Sequence, residues 1–308
     1  MANPVLMRLS RNDRMRRFSS RLPVTRAVVD RFVAGETDAD VIQACRRLGE
    51  QGLTSTIDRL GEDVTDRAQA QAATSAYVTV LSRLGAEGLV PAAEVSVKLS
   101  AIGGALGADG ATIALANAQA ICQAAAAVGT TVSIDMEDHT TVDATLHTVR
   151  ELRREHPWVA AVVQAALRRT EGDLGELVAA GSRVRLVKGA YDEPPSVAFS
   201  DKAEVDGSYL RCLQILMAGQ GYPQVATHDL ALVERARELA GQYGRAADSY
   251  EFQLLYGVRP ALQSRLRARG EQVRIYVPYG EDWYGYFMRR LAERPANVGF
   301  FARALVGR

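Results

Sequence analysis

The sequence predicts an α/β protein, a TIM-like (βα)8 barrel with additional N-terminal helices, on three observations. Eight short β-rich runs recur along the 308 residues, and helical stretches separate most of them. Parallel neighbours need crossover connections, so this cadence argues for a parallel sheet, and eight units suggest its closure into a barrel. An open doubly wound sheet is the competing architecture. Against it, no GxGxxG follows the first run, and GxxxxGK[ST] occurs nowhere.

The elements follow in order. Residues 1–26 form a basic arm, with seven arginines (8, 11, 14, 16, 17, 21 and 26) against Asp13. In "TDADVIQACRRLGEQG", apolar residues at 41, 42, 45 and 48 mark an amphipathic helix, with Asp or Thr at its start and Gly49 or Gly52 near its end. The β-rich runs are 53–62, 94–100, 130–137, 160–167, 183–191, 224–228, 249–257 and 273–280. Helices are expected over 65–84, 111–127, 141–155, 202–219 and 230–242. A last helix, "DWYGYFMRRLAERPAN" (282–297), follows the eighth run. Tyr286, Arg289, Arg290 and Glu293 share one face of it, and Phe287, Met288 and Leu291 lie opposite.

From Gly110 to Ile134 there is no charged residue, but Asn117, Gln119 and Gln123 interrupt the run. Gly129 reads as a helix C-cap before "TTVSID". The segment is therefore expected to be a buried helix followed by a strand, and not a membrane span. "GGALGADG" (103–110) is expected to be a flexible loop. No Pro- or Ser-rich linker divides the chain, so residues 27–308 form a single domain.

Composition is ordinary for a folded soluble protein, 47% hydrophobic and 24% charged. A net charge of +1 gives no whole-chain case for nucleic acid. The arm alone is compatible with anionic lipid, nucleic acid, a transit peptide or a solvated terminus. "PVLM" is too short for the apolar region of a secretory signal. Cys45, Cys122 and Cys212 form no CxxC pair and read as core residues of a reducing compartment. A cytoplasmic protein is expected, in peripheral contact with the inner face of the membrane if the arm meets anionic lipid.

Active sites of such barrels sit at the C-terminal ends of the strands. There the sequence places Lys98, Asp135 with Glu137, Gln164, Arg185 and Lys188, Thr227 and His228, Glu251 and Gln253, and Tyr276. The set suggests a polar pocket with cationic groups in excess. Three chemistries stay open on these residues. "DMEDH" (135–139) with His228 and Glu251 suits a divalent metal. Lys98 or Lys188 suits a Schiff base. The third is an anion-binding redox site.

Several separated segments, in order, carry a resemblance. "RVRLVKGAYDEP" (183–194), "EFQLLYGVR" (251–259) and "RIYVPYGEDWYGYFMRRLAERPAN" (274–297), with "VSVKLS", "SIDME", "VVQA" and "ATH" before or between them, are similar to the monofunctional bacterial proline dehydrogenases. The resemblance runs from about Val24 to Val298. It implies a distorted barrel holding FAD, with no metal, that oxidises L-proline to Δ1-pyrroline-5-carboxylate by hydride transfer from C5 to flavin N5. Electrons would pass to a membrane quinone.

The resemblance also implies roles. Arg289 and Arg290 would grip the proline carboxylate with planar, charge-assisted forks, and Lys98 would add a third positive group. Asp135 would hold Lys98 through an ion pair. Tyr276 and Tyr286 would wall the pyrrolidine ring. Arg185 would lie near flavin N5, where negative charge develops. Met136 and Gln164 would line the cofactor, and Lys188, Gly189, Ala190, Thr227 and His228 would hold the flavin and its phosphates. Glu293 would be a further cofactor contact. Ala166 stands where an aromatic is usual, and Asp229 where Asn is usual.

Overall fold

The computed structural model describes residues 29–62 and 64–286. The basic arm, Arg289, Arg290 and Glu293 lie outside the described residues. The order is α1 (Asp38–Glu50), β1 (Thr54–Arg59), α2 (Arg67–Ala86), β2 (Ala93–Lys98), α3 (Gly110–Val128), β3 (Val132–Asp135), α4 (Val142–Arg153) and β4 (Ala160–Gln164). It continues with α5 (Thr170–Ala179), β5 (Arg183–Val187), α6 (Lys202–Ala218), β6 (Tyr222–Ala226), α7 (Leu230–Gln242), β7 (Glu251–Leu255), α8 (Pro260–Ala268) and β8 (Val273–Tyr279). The eight strands pair in sequence order, and β8 closes on β1 to make a parallel barrel. The expected fold class is the observed one.

Local chemistry sets the helix starts. Thr37 and Asp40 form a capping box at α1, which satisfies amide hydrogens that have no partner inside the helix. Asp66, Asp201 and Asp229 accept backbone N–H groups at the starts of α2, α6 and α7. Pro260 opens α8, where its missing N–H costs nothing. Gly129 ends α3 at φ +77°, as a C-cap glycine should.

The strands alternate, and the alternation separates two interiors. Ile57, Val95, Val97, Val132, Ile134, Val184, Leu186, Phe252, Leu254, Ile275 and Val277 join the helices in one buried apolar core between barrel and ring. Each such side chain contributes about 1.5–3 kcal/mol on burial. The intervening residues point into the barrel and are mostly polar. Thr56, Asp58, Glu94, Ser96, Ser133, Arg185, Gln224, Glu251, Gln253 and Arg274 are all buried. Branched apolar side chains usually fill such barrels; here hydrogen bonds and ion pairs fill it.

The helical ring is irregular at one place. α1, which precedes the first strand, packs on both β8 and β1 and so occupies the slot where the ring closes. A helical turn begins at 283–286. Trp283, Tyr284 and Tyr286 bury against Val29, Phe32, Val33 and Leu60, forming a second apolar cluster at the C-terminal rim. Gly257 permits this arrangement. Its φ is +68°, and a Cβ there would lie 1.6 Å from the Arg31 carbonyl oxygen.

Two expectations need correction. Residues 103–110 are not a loose loop: Gly104 N–H donates to Leu99 O at 2.7 Å, and a Cβ on Gly110 would lie 2.7 Å from Gly104 O. The glycines allow backbone to stack on backbone. Helix α3 is not buried all round. Gly110, Ala114, Ala118, Ile121, Cys122 and Ala125 are buried, Leu115 and Ala124 pack partly buried against the core, and the exposed positions, 111, 112, 116, 123, 126 and 127, carry no charge. By length and composition alone, 107–128 is apolar enough to cross a membrane; it packs beside α2 and α4 and leads through Gly129 into β3.

Candidate active site

At the C-terminal mouth four strands bring a charged cluster together. Asp58 and Ser96 are register partners of β1 and β2, and Lys98 and Asp135 are partners of β2 and β3. The Lys98 ammonium donates to both Asp58 carboxylate oxygens at 2.8 Å. It lies 3.3 Å from the Tyr276 hydroxyl, 3.6 Å from Asp135 and 3.9 Å from Glu62. The expected pairing of Lys98 with Asp135 therefore exists, but Asp58 holds the ammonium more tightly. Burial opposes the Lys98 charge, yet Asp58, Tyr276 and Asp135 push its pKa well above the ordinary value. Burial raises the Asp58 carboxyl, with Lys98 opposing the shift.

Asp135 is fully engaged elsewhere. Its Oδ2 accepts from the Tyr276 hydroxyl at 2.7 Å. Its Oδ1 accepts from Arg185 Nη1 at 2.7 Å and from Ser96 Oγ at 2.6 Å. Burial first, then the Asp135 charge, raises the Tyr276 pKa well above 10.0, so the phenol stays a donor. The Arg185 guanidinium lies 5.3 Å over the Tyr276 ring, a distance at which a cation is attracted to the ring face.

Arg185 is not at the strand end, where the sequence reading placed it, but two residues earlier, at the floor of the mouth. It is 3% exposed. Its Nε donates to Gln253 Oε1 at 2.5 Å, and Nη1 also reaches Ser96 Oγ at 2.9 Å. Buried Nη2 has no hydrogen-bond partner among the described residues; Glu94 is 4.0 Å away.

Below lies a second layer. Glu94 accepts from Thr56 at 2.8 Å and pairs with Arg183 at 2.9 Å. Burial works against its ionised form, but Arg274 and Arg183 hold its pKa well below the carboxylate range. Glu251, expected at the mouth, belongs to this layer, because β7 starts at that residue. It binds Arg274 Nε at 2.8 Å.

The remaining predicted residues border the mouth between β3 and β6. Gln164 donates to the Glu137 carbonyl at 2.7 Å. Met136 packs with Val142, Val162, Leu167 and Ala198. Gly189 has φ +114°, and a Cβ would press to 3.2 Å from Ala166 and 3.3 Å from Gln164. Ala190 beside it is exposed. Lys188 bridges Asp206 at 2.5 Å and Asp229 at 3.3 Å. Asp229 thus neutralises part of Lys188 as well as capping α7. Thr227 Oγ1 accepts from Asp229 N–H at 3.1 Å, and His228 Nε2 accepts from Leu255 N–H at 3.0 Å. Tyr286 is buried in the rim cluster.

The metal reading loses its geometry. Among the described residues no group of three or more His, Cys, Asp or Glu side chains is arranged to hold a metal ion, Glu137 is taken by the Ser100 amide at 3.0 Å and by the Ser100 hydroxyl, and Glu251 sits at the other end of its strand. Asp58, Ser96 and Gln253 hold the site together; the sequence reading set Gln253 among the polar residues of the pocket without a role of its own and named neither Asp58 nor Ser96. Their signal was the period-two spacing that puts Asp58 and Ser96 on the inward face with Lys98.

A closed barrel with buried opposite charges and a guanidinium at its mouth defines a barrel enzyme for a small polar substrate. The chain belongs to the proline dehydrogenase family, which residues 41–303 match. It is an oxidoreductase acting on proline, in proline catabolism. It is 40% identical to the proline dehydrogenase of Deinococcus radiodurans over 284 residues, covering 91% of this chain and 90% of that one. It is 37% identical to proline dehydrogenase 2 of Bacillus subtilis strain 168 over 276 residues, 90% of this chain and 89% of that one. Among solved structures, a variant of proline utilization A from Bradyrhizobium japonicum superposes with TM-score 0.74 at 26% identity, over 91% of this chain and 32% of that chain. The chain thus spans about a third of that larger protein.

Proposed function

We propose that the protein converts L-proline to Δ1-pyrroline-5-carboxylate using FAD held at the barrel mouth, with a membrane quinone as electron acceptor. The observation that carries this reading is Arg185, a guanidinium fixed at two nitrogens whose buried third has no hydrogen-bond partner among the described residues. A fixed cation suits charge that develops during reaction, and a flavin ring accumulates such charge. The rim fits the same group. Gly189 leaves an opening that a Cβ would crowd, and Lys188 and Lys202 set two ammonium groups beside the start of α7. Met136, Gln164, Lys188–Ala190, Thr227, His228 and Glu293 would hold the cofactor.

The flavin supplies a two-electron hydride acceptor, which no side chain here provides. The protein's part is to bind and orient. Lys98, with Arg289 and Arg290 from the sequence after β8, would clamp the carboxylate, and Tyr276 would wall the ring. Fixing the reacting partners in this way is worth up to about 7–11 kcal/mol. With the amine neutral, the C5–H bond breaks with its electron pair. The nitrogen lone pair then forms the C=N bond, and the N–H proton leaves to solvent.

The decisive experiment is spectroscopic. Purified protein should be yellow, lose flavin absorption anaerobically on adding proline, and release FAD on heating. A colourless preparation that carries metal, or bleaching by hydroxyproline and not proline, overturns the reading. The arginine-rich arm supports a cytoplasmic protein in peripheral contact with anionic membrane, at about 1 kcal/mol per well-placed arginine. Unchanged vesicle binding at low salt after deletion of residues 1–20 would refute that contact.

A further inference from the structure

The polar floor beneath Arg185 has a direction that the reaction itself does not explain. Gln253 offers two chemically different ends, and its surroundings fix which one faces the guanidinium. Its Nε2 donates to Glu251 Oε1 at 2.7 Å, so its Oε1 is the atom that accepts from Arg185 Nε at 2.5 Å. Glu251 accepts only, and it is anchored in turn by Arg274 Nε at 2.8 Å, Gln224 Nε2 at 3.2 Å and the Tyr222 hydroxyl at 3.3 Å. A flipped amide would set carbonyl against carboxylate and N–H against guanidinium, at the cost of two buried hydrogen bonds. All of these side chains except Tyr222 are less than 10% exposed.

The choice of a neutral acceptor matters because of what else surrounds Arg185. Asp135 already takes Nη1, and Glu94 lies 4.0 Å from Nη2. A second carboxylate at position 253 would take Nε and the orphaned Nη2 together, since these two nitrogens share one edge of the guanidinium fork. The amide therefore fixes the guanidinium without cancelling its charge.

We propose that Gln253, oriented by Glu251, is a positioning residue that fixes the Arg185 cation toward the flavin without adding a further negative charge to the one Asp135 already sets against it, thereby setting the flavin's reduction potential. This rests on the flavin-dependent reading above. Arg185 touches the reacting group; Gln253 acts through it. The Glu251–Gln253 pair belongs to the same strand face, two residues apart, so β7 delivers anchor and acceptor as one unit.

The test compares the flavin-loaded protein with its Gln253→Met and Gln253→Glu variants, by anaerobic potentiometry against reference dyes and by proline kinetics. Met keeps the volume and removes the acceptor. It should retain flavin and leave KM within about threefold, while kcat falls about tenfold or more, the size expected for loosening one group that stabilises a transition state. Glu adds a charge. At mildly alkaline pH its flavin should be harder to reduce by at least tenfold in the equilibrium constant, about 30 mV for a two-electron couple. At acid pH that shift should shrink, because a protonated Glu reproduces the amide's donor and acceptor. The proposal is overturned if the Met variant keeps parental kcat and the Glu variant keeps the parental potential. It is also overturned if both lose flavin in step with activity while the flavin that remains has the parental potential. Should the Met variant fail to fold, the Glu potential decides alone. A parent protein that proline does not bleach would instead defeat the flavin reading itself, an outcome visible before either variant is made.

Discussion

Lys98 and Asp58 meet in a two-oxygen contact at 2.8 Å, made between neighbouring strands whose side chains are 11% and 1% exposed. The ammonium proposed above to meet a substrate carboxylate is thus already half-answered from within the protein. Asp58 places Lys98, and Asp135, at 3.6 Å, is left for Tyr276 and Arg185.

Removing Asp58 should therefore be costly. Its loss removes the closest partner of a buried charge and leaves Asp135 at 3.6 Å and Glu62 at 3.9 Å to face it, so Asp58→Ala should lower stability by about 3 kcal/mol, the lower end for a broken buried pair. Urea unfolding monitored by circular dichroism measures it. A loss under about 1 kcal/mol, the range of exposed pairs, would show that water reaches Lys98 and that the pair does not set its position.

Tyr276→Phe separates the wall from the hydroxyl. The ring remains, and the hydrogen bond to the Asp135 carboxylate is lost, for an expected cost of about 1.5–3 kcal/mol. Proline KM should stay within about threefold while kcat drops, since the aromatic surface persists and only the network beneath it loosens. A KM rise with kcat unchanged would place the hydroxyl on the substrate instead.

Acid should act on the lower layer in a defined direction. Glu94 ordinarily titrates near 4.5, and in the folded protein its pKa lies well below that. A depressed carboxyl contributes stability that is fully present above its unfolded pKa and is lost as pH falls through the folded one. The stability difference between the parent and Glu94→Gln should accordingly be constant from neutral pH down to about pH 5 and shrink below it. Paired denaturation curves across that range provide the check; a difference that grew with acid would invert the assignment.

Gly257→Ala tests the rim. The left-handed backbone alone costs a residue with a Cβ about 1–2 kcal/mol, and the Arg31 carbonyl leaves that atom no space. The substitution should raise the rate of limited proteolysis within residues 29–36 while the barrel's far-ultraviolet circular dichroism is kept. Parental protection would mean that residues 29–33 are held in place by other contacts.

The architecture was legible because the strands alternate. "EVSVKLS", "RVRLV" and "EFQLL" place apolar and polar residues on opposite faces, and both the barrel and its polar lining follow from that. Helix ends with a chemical marker, such as Asp229 or Gly129, fell within a residue of expectation. Helices α5 and α8 received no expectation: "TEGDLGELVA" carries two glycines and "PALQSRLRA" is short. Strand runs were drawn too long at the mouth, where polar loop residues continue the pattern, and the 249–257 run gave no sign that pairing begins at Glu251. Asp58 was the larger miss. One acid in a short run looks like an edge residue until β1 closes against both β2 and β8, which is a property of the whole ring.

Because α1 fills the gap where the staves meet, the turn at 283–286 has no wall to complete. It can lie along the rim of the entrance, pinned there by two tyrosines and a tryptophan against a segment from far upstream. The molecule therefore fastens its lintel with the same thread that seals its seam. Loosening residues 29–36 would disturb the doorway and the joint together, although neither holds any of the ionised groups at the floor.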